Sequence, residues 1–144
     1  MRWWDIATVM VIENGLFEED AWSEGMFWSE LAERETRRYL VEDDDAGKLC
    51  AYAGLCTYAP HEAYIQTIAV SPVAQRRGIG DALLTELISE SVRRGCPHLD
   101  LEVRADNDTA IRLYERHGFT RIGLRRGYYQ PSNTDAAVMR RLAA

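Results

Sequence analysis

Between Glu62 and Val103 the chain changes its apolar period twice. "EAYIQTIAV" alternates as a strand does, and Ser71-Pro72 stops it. After a short loop, Ile79, Leu83 and Leu87 with Leu84, Ile88 and Val92 recur at helical spacing, and Gly95 and Pro97 end that stripe. "HLDLEV" then reads as a second strand. A strand, a helix and a strand joined this closely imply a parallel pair with a right-handed crossover, Tyr64 to Val70 beside Leu99 to Val103. Both strands then finish at one edge of the sheet. Ligands of such sheets collect beyond that edge, where the next helix presents its N-terminus. Val70, the run Arg76-Arg77-Gly78-Ile79-Gly80 and Glu102 therefore converge on one place.

The remaining segments fit around this unit. Asp5 is expected to cap a helix running to about Gly15, and Ser23 a second one carrying Met26, Phe27 and Leu31. "RRYLVE" and "KLCAYAGLCTY" read as a hairpin, with the acidic run Asp43 to Asp45 in its solvated turn. Asn107 to His117 reads as a helix ending at Gly118, and "TRIGLRRGYY" with "DAAVMRRL" as a closing antiparallel pair. The expected class is α/β in the α+β sense: a mixed central sheet flanked by helices. A chain of 144 residues suits one domain, residues 1–144, that buries roughly two-thirds of its surface.

Composition narrows the function classes. A net charge of -6 disfavours direct nucleic-acid binding and suits a basic macromolecular partner. No apolar run approaches the ~18 to 20 residues that cross a bilayer, and "MRWWDIATVM" lacks the parts of a signal peptide, so no membrane partner and a cytoplasmic location are expected. Cys50, Cys56 and Cys96 are odd in number and lack metal-type spacing, which suits reduced core thiols. His61, His98 and His117 are scattered, and no metal site can be built from them by spacing.

The arginine-glycine run has its own chemistry. The first turn of a helix leaves N–H groups unpaired and carries the positive end of the helix dipole. Gly78 and Gly80 let those groups approach an anion closely, and Arg76 or Arg77 adds charge-assisted hydrogen bonds, so a polyphosphate suits the place. A plain glycine turn with solvated arginines is the alternative. Two other phosphate motifs are excluded: there is no Gly-x-x-x-x-Gly-Lys-Ser/Thr, and Leu83 stands where a third dinucleotide-site glycine belongs.

"IAVSPVAQRRGIGDALL" resembles the Gln/Arg-x-x-Gly-x-Gly/Ala signature of the GNAT acetyltransferases, with its preceding strand and following helix. "LEVRADNDTAIRLYERHGF" followed by "RRGYY" is narrower and resembles the RimI-type ribosomal-protein-alanine N-acetyltransferases. The similarity runs from about Ile65 to Arg141, and "DAWSEGMF" is similar to the family's substrate-side segment. Met1 to Trp4 departs from it, leaving almost no room for the family's first strand: either that strand is very short or the true start lies upstream. The resemblance implies the GNAT acyl-CoA fold with a splayed parallel strand pair, and acetyl-CoA as cosubstrate with no metal. It also implies that Arg76, Arg77, Gly78, Ile79, Gly80 and Asp81 hold the pyrophosphate, that Ile68, Ala69 and Val70 hold the pantetheine and thioester through backbone hydrogen bonds, and that Asn107 touches the cofactor. The implied partner is a protein N-terminus, that of a basic ribosomal protein.

An amine attacks a thioester only when neutral. Deprotonation at pH 7 costs about 1.4 kcal/mol for an α-amine and about 4.6 kcal/mol for a lysine, so an N-terminus is the easier nucleophile. Glu102 matches the family's "LEVR" glutamate and is the candidate base; an edge carboxylate paired with Arg104 or solvent is the other reading. Tyr114 corresponds to the family's proton donor to the departing thiolate, while its spacing after Ala110 and Ile111 also suits packing. The Val70 N–H is the candidate oxyanion donor. In the family, the region of Tyr128 and Tyr129 walls the peptide groove, with Glu13 or Trp22 facing it from the helical side; ordinary sheet packing is the other reading for at least one of the tyrosines. Two other functions stay open: acetylation of lysine side chains or a small-molecule amine, and a noncatalytic acyl-CoA sensor, which would not need Glu102 and Tyr114.

Overall fold

The computed structural model describes residues 1–143, and its strands form one sheet in the order β1-β2-β3-β4-β6-β5. The chain runs α1 (Ile6–Phe17), α2 (Glu24–Ala32), β1 (Arg37–Asp43), β2 (Leu49–Tyr58), β3 (Glu62–Val70), α3 (Ile79–Arg93), β4 (His98–Arg104), α4 (Asp108–Arg116), β5 (Thr120–Tyr129) and β6 (Thr134–Leu142). Every neighbouring pair is antiparallel except β3 with β4, the pair that the strand-helix-strand order demands. Among the described residues no strand precedes α1; Met1 lies at the edge of β1, where its amino group donates to the Tyr39 carbonyl over 2.8 Å.

Two apolar layers sandwich the sheet. On one face Leu83, Leu84 and Leu87 of α3 and Tyr114 of α4 pack on Ala63, Ile65, Leu99, Leu101 and Val103. On the other, Ile6, Val9 and Ile12 of α1 and Phe27 of α2 pack on Tyr39, Tyr52 and Ala69. Cys50, Cys56 and Cys96 are buried free thiols. Gly54 lies opposite Tyr39 in the β1–β2 ladder, and the Tyr39 ring crosses it where a Cβ would sit. Only glycine fits beneath that ring.

Helix boundaries follow local chemistry, with two corrections. Ser23 caps α2, its Oγ accepting from the Met26 N–H at 3.2 Å. Asp5 does not cap α1: it already has helical dihedrals and its carboxylate accepts from the Arg2 N–H. The helix also continues past Gly15 to Phe17. Glycine weakens a helix without ending it unless the backbone turns left-handed there, and in this chain that turn falls on Glu18, at φ 45°.

The parallel pair is joined at a single register position, Tyr64 opposite Asp100. A bulge explains the divergence. Thr67 pairs with Gly54 and Ile65 with Leu55, so Gln66 is an extra residue on β3. Bulges bend the strand that carries them, and this one turns the last residues of β3 away from β4. It also resets the alternation, so that Ala63 and Ile65 before it and Ile68 and Val70 after it all face α3.

Candidate active site

A cleft of about 840 Å³ opens where β3 and β4 part. On the β3 side, alternation decides which backbone groups face it. The Ser71 N–H donates to the Cys50 carbonyl at 2.8 Å, so Ala69 also turns towards β2 while Ile68 and Val70 turn their backbone groups to the gap. The Val70 carbonyl accepts from Gln75 Nε2 at 3.0 Å, which fixes the end of the strand.

The loop that follows has an unusual backbone. Arg76 has φ 63° and Gly78 has φ 79°, both left-handed, on either side of Arg77. Such alternation turns successive N–H groups into a concave nest that receives anions, and α3 begins at the next residue with its own free N–H groups. Asp81, in that first turn, is 2.8 Å from His117 Nε2 and 3.3 Å from Arg116 Nη2. The hydrogen bond from His117 holds its carboxyl below the usual range.

Glu102 and Tyr114 reach the cleft from different faces. Leu101 and Val103 face α3, so Glu102 between them faces the α1 side. Its Oε1 is 3.0 Å from Arg125 Nε rather than from Arg104. The carboxylate also pushes up the Tyr128 hydroxyl pKa, and the Arg125 guanidinium lies 5.6 Å over the Tyr128 ring. Tyr114 stands on the α4 side, packed edge-on against Phe119. Burial raises its pKa well above the ordinary phenol value. Among the described residues no buried side-chain polar atom lacks a partner and no protein group bonds this hydroxyl, so it opens into the cleft.

The residues singled out from sequence largely meet here. Ile68, Ala69, Val70, Arg76, Gly78, Ile79, Gly80, Asp81, Glu102, Asn107, Tyr114, Tyr129, Trp22 and Glu13 all line the cleft, whereas Arg77 and Tyr128 stand outside it. Several side chains are already engaged. Asn107 Oδ1 caps α4 by accepting from the Ala110 N–H. Glu13 is 2% exposed and accepts from the Tyr52 hydroxyl at 2.5 Å and from the Trp22 N–H at 2.9 Å. It braces the α1–α2 connection from beneath the cleft surface. Burial raises its pKa, against the pull of both hydrogen bonds.

Sequence reasoning passed over Gln75 and Arg104. Gln75 stands at the first position of the Gln/Arg-x-x-Gly-x-Gly signature, which was the available signal. Nothing local marked Arg104 as joining the two sides of the cleft, because Asp20 and Thr134, unlike its neighbour Asp106, are distant in the chain.

This combination of a splayed parallel pair, an anion nest and a following helix defines the class. The chain belongs to the Acetyltransferase (GNAT) family, which it matches over residues 4–119. Within that class it is 43% identical over 126 residues to the N-alpha-acetyltransferase RimI of Mycobacterium tuberculosis, covering 85% of this chain and 77% of that protein. It is 42% identical over 120 residues to the [Ribosomal protein bS18]-alanine N-acetyltransferase of Escherichia coli, covering 82% and 78%. The crystal structure of the ribosomal-protein-S18-alanine N-acetyltransferase from Escherichia coli superposes with a TM-score of 0.85 at 37% identity, covering all of this chain and 91% of that one. GNAT enzymes use acetyl-CoA, and the residues present fit it: the nest and the α3 N-terminus suit its pyrophosphate, and the Ile68 backbone groups and the Val70 N–H, turned to the gap, suit its amide-bearing arm.

Proposed function

We propose that residues 1–144 act as one domain that acetylates the N-terminal α-amine of a protein, with the N-terminal alanine of a small-subunit ribosomal protein as substrate. The observation that carries this reading is the pairing of Glu102 and Tyr114 across one cleft, a carboxylate on the α1 face and a phenol on the α4 face. Bound acetyl-CoA supplies an activated acetyl group as a thioester. The chain's own residues then divide the proton work. Glu102 takes the proton the amine loses, directly or through one water, and the Tyr114 hydroxyl gives a proton to the leaving sulfur and regains it from solvent. The Val70 N–H, aimed at the gap, stabilises negative charge that develops on the carbonyl oxygen. Arg76, Gly78 and the first turn of α3 anchor the diphosphate.

The activity named for the Escherichia coli relative supports the choice of an N-terminal alanine. Charge supports a basic substrate. Glu18 and Glu19 are exposed at the lip of the cleft and present negative charge to an approaching peptide. Such a protein works in the cytoplasm, and no described helix is long and apolar enough to cross a membrane.

Product mapping tests the reading. Peptides varied at the first residue, each with free and blocked α-amines and an internal lysine, are incubated with acetyl-CoA and analysed by mass spectrometry. Acetyl is expected on the free α-amine, with alanine preferred. Acetyl confined to lysine would assign the enzyme to side-chain acetylation, and no transfer to any amine would favour an acyl-CoA sensor.

A further inference from the structure

Arg104 closes β4 two residues after Glu102 and takes no part in the proton transfers above. Its guanidinium joins four separate segments. Nη1 donates to Asp20 Oδ2 in the α1–α2 connection, and Nη2 donates to Thr134 Oγ1 at the start of β6 over 2.9 Å. Nε and Nη2 reach the Asp106 carboxylate in the β4–α4 loop at 3.2 and 3.4 Å. Its Cζ lies 5.5 Å from the centroid of the Tyr129 ring at the end of β5. The Asp20 side chain is only 11% exposed, so the contact is largely shielded from solvent.

These contacts span the cleft. Asp20 and Trp22 line one wall and Tyr129 the other, and Arg104 on the floor holds both. From the geometry we infer that Arg104 is a positioning residue that fixes the spacing between the two walls receiving the acceptor peptide, and so governs acceptor binding rather than cofactor binding. This rests on the peptide-acceptor reading. Arginine suits such a place because its planar fork serves several acceptors and an aromatic face at once, which a lysine ammonium on one stem cannot. The anion nest at Arg76 and Gly78 shares none of these contacts, so the nest is left out of the coupling.

Steady-state kinetics of Arg104→Gln, Arg104→Lys and Asp20→Asn, with both substrates varied in turn, test this. Losing a charge-assisted bond of this kind corresponds to roughly a ten-fold rise in peptide KM. That rise is expected in Arg104→Gln and Asp20→Asn, with kcat within about three-fold and acetyl-CoA KM unchanged; Arg104→Lys should recover only part of it. The double variant Asp20→Asn/Arg104→Gln should be no worse than Arg104→Gln alone, because both remove one link. An unchanged peptide KM, or equal rises in both KM values, overturns the inference. If Arg104→Gln does not fold, Asp20→Asn decides on the same criteria. Failure of the peptide reading would be seen separately, as wild-type product on lysine.

Discussion

Glu102 and Tyr114 lie on opposite faces of the sheet yet open into the same cleft. Only the divergence of β3 from β4 permits this, because a continuous ladder would wall one face from the other. The separation gives each group its own environment. Glu102 stays partly solvated beside Arg125, while Tyr114 is buried against Phe119 and keeps its proton. The base and acid roles proposed for them call for that difference.

Removing either group should therefore slow chemistry without loosening the cofactor. Glu102→Gln and Tyr114→Phe are each expected to lower kcat by about 10²-fold or more. Coenzyme A affinity, measured by calorimetry, should stay within about two-fold, since neither side chain belongs to the anion nest.

The contact between Asp81 and His117 ties the first turn of α3 to the end of α4, the helix that carries Tyr114. His117→Ala should raise acetyl-CoA KM by up to about five-fold, the reach of a partly exposed pair. Peptide KM is the control and should not change. The sign with pH is fixed by Asp81: a lowered carboxyl pKa contributes stability above its unfolded value near 3.8 that is lost as pH falls through the folded value. The stability difference between wild type and Asp81→Asn, followed by urea unfolding, should accordingly close towards pH 3.

Gly78 and Gly80 should respond differently to alanine. Gly78 has φ 79° with open space around it, so alanine there is opposed by backbone strain of roughly 1–2 kcal/mol and distorts the nest. Coenzyme A affinity is the measurement, and a loss of about ten-fold is expected. At Gly80 a Cβ would meet Leu113 and Val70 at 3.6 and 3.8 Å, ordinary contact distances. Gly80→Ala should fold and bind within about three-fold of wild type.

Glu13 makes the opposite pH prediction. Burial raises its carboxyl pKa above the unfolded value near 4.5, so the folded state holds the proton more tightly. Stability from this group is full below that pH and is lost as pH rises through the raised value. Glu13→Gln removes the titration. The advantage of wild type over the variant should thus shrink as pH rises from about 4.5 through the raised value in thermal or urea unfolding.

The order strand, helix, strand and the apolar stripe from Ile79 to Val92 were local signals, and they were enough to fix the parallel pair, the helix that starts after Gly78 and the strand end carrying Glu102. Period and handedness are short-range properties of the backbone, which is why those elements were legible. Tertiary structure alone decided the rest. The extra residue Gln66 left only a shift in apolar phase between Ile65 and Ile68, and its effect on the β3–β4 gap needs the neighbouring strands to be visible. Glu13 carried no sign that Tyr52, 39 residues away, would take its carboxylate. Arg104 likewise finds Asp20 across 84 residues. Side-chain partners so distant in the chain are chosen by packing, after the sheet has brought them within a few ångströms, and a one-dimensional pattern does not encode that meeting.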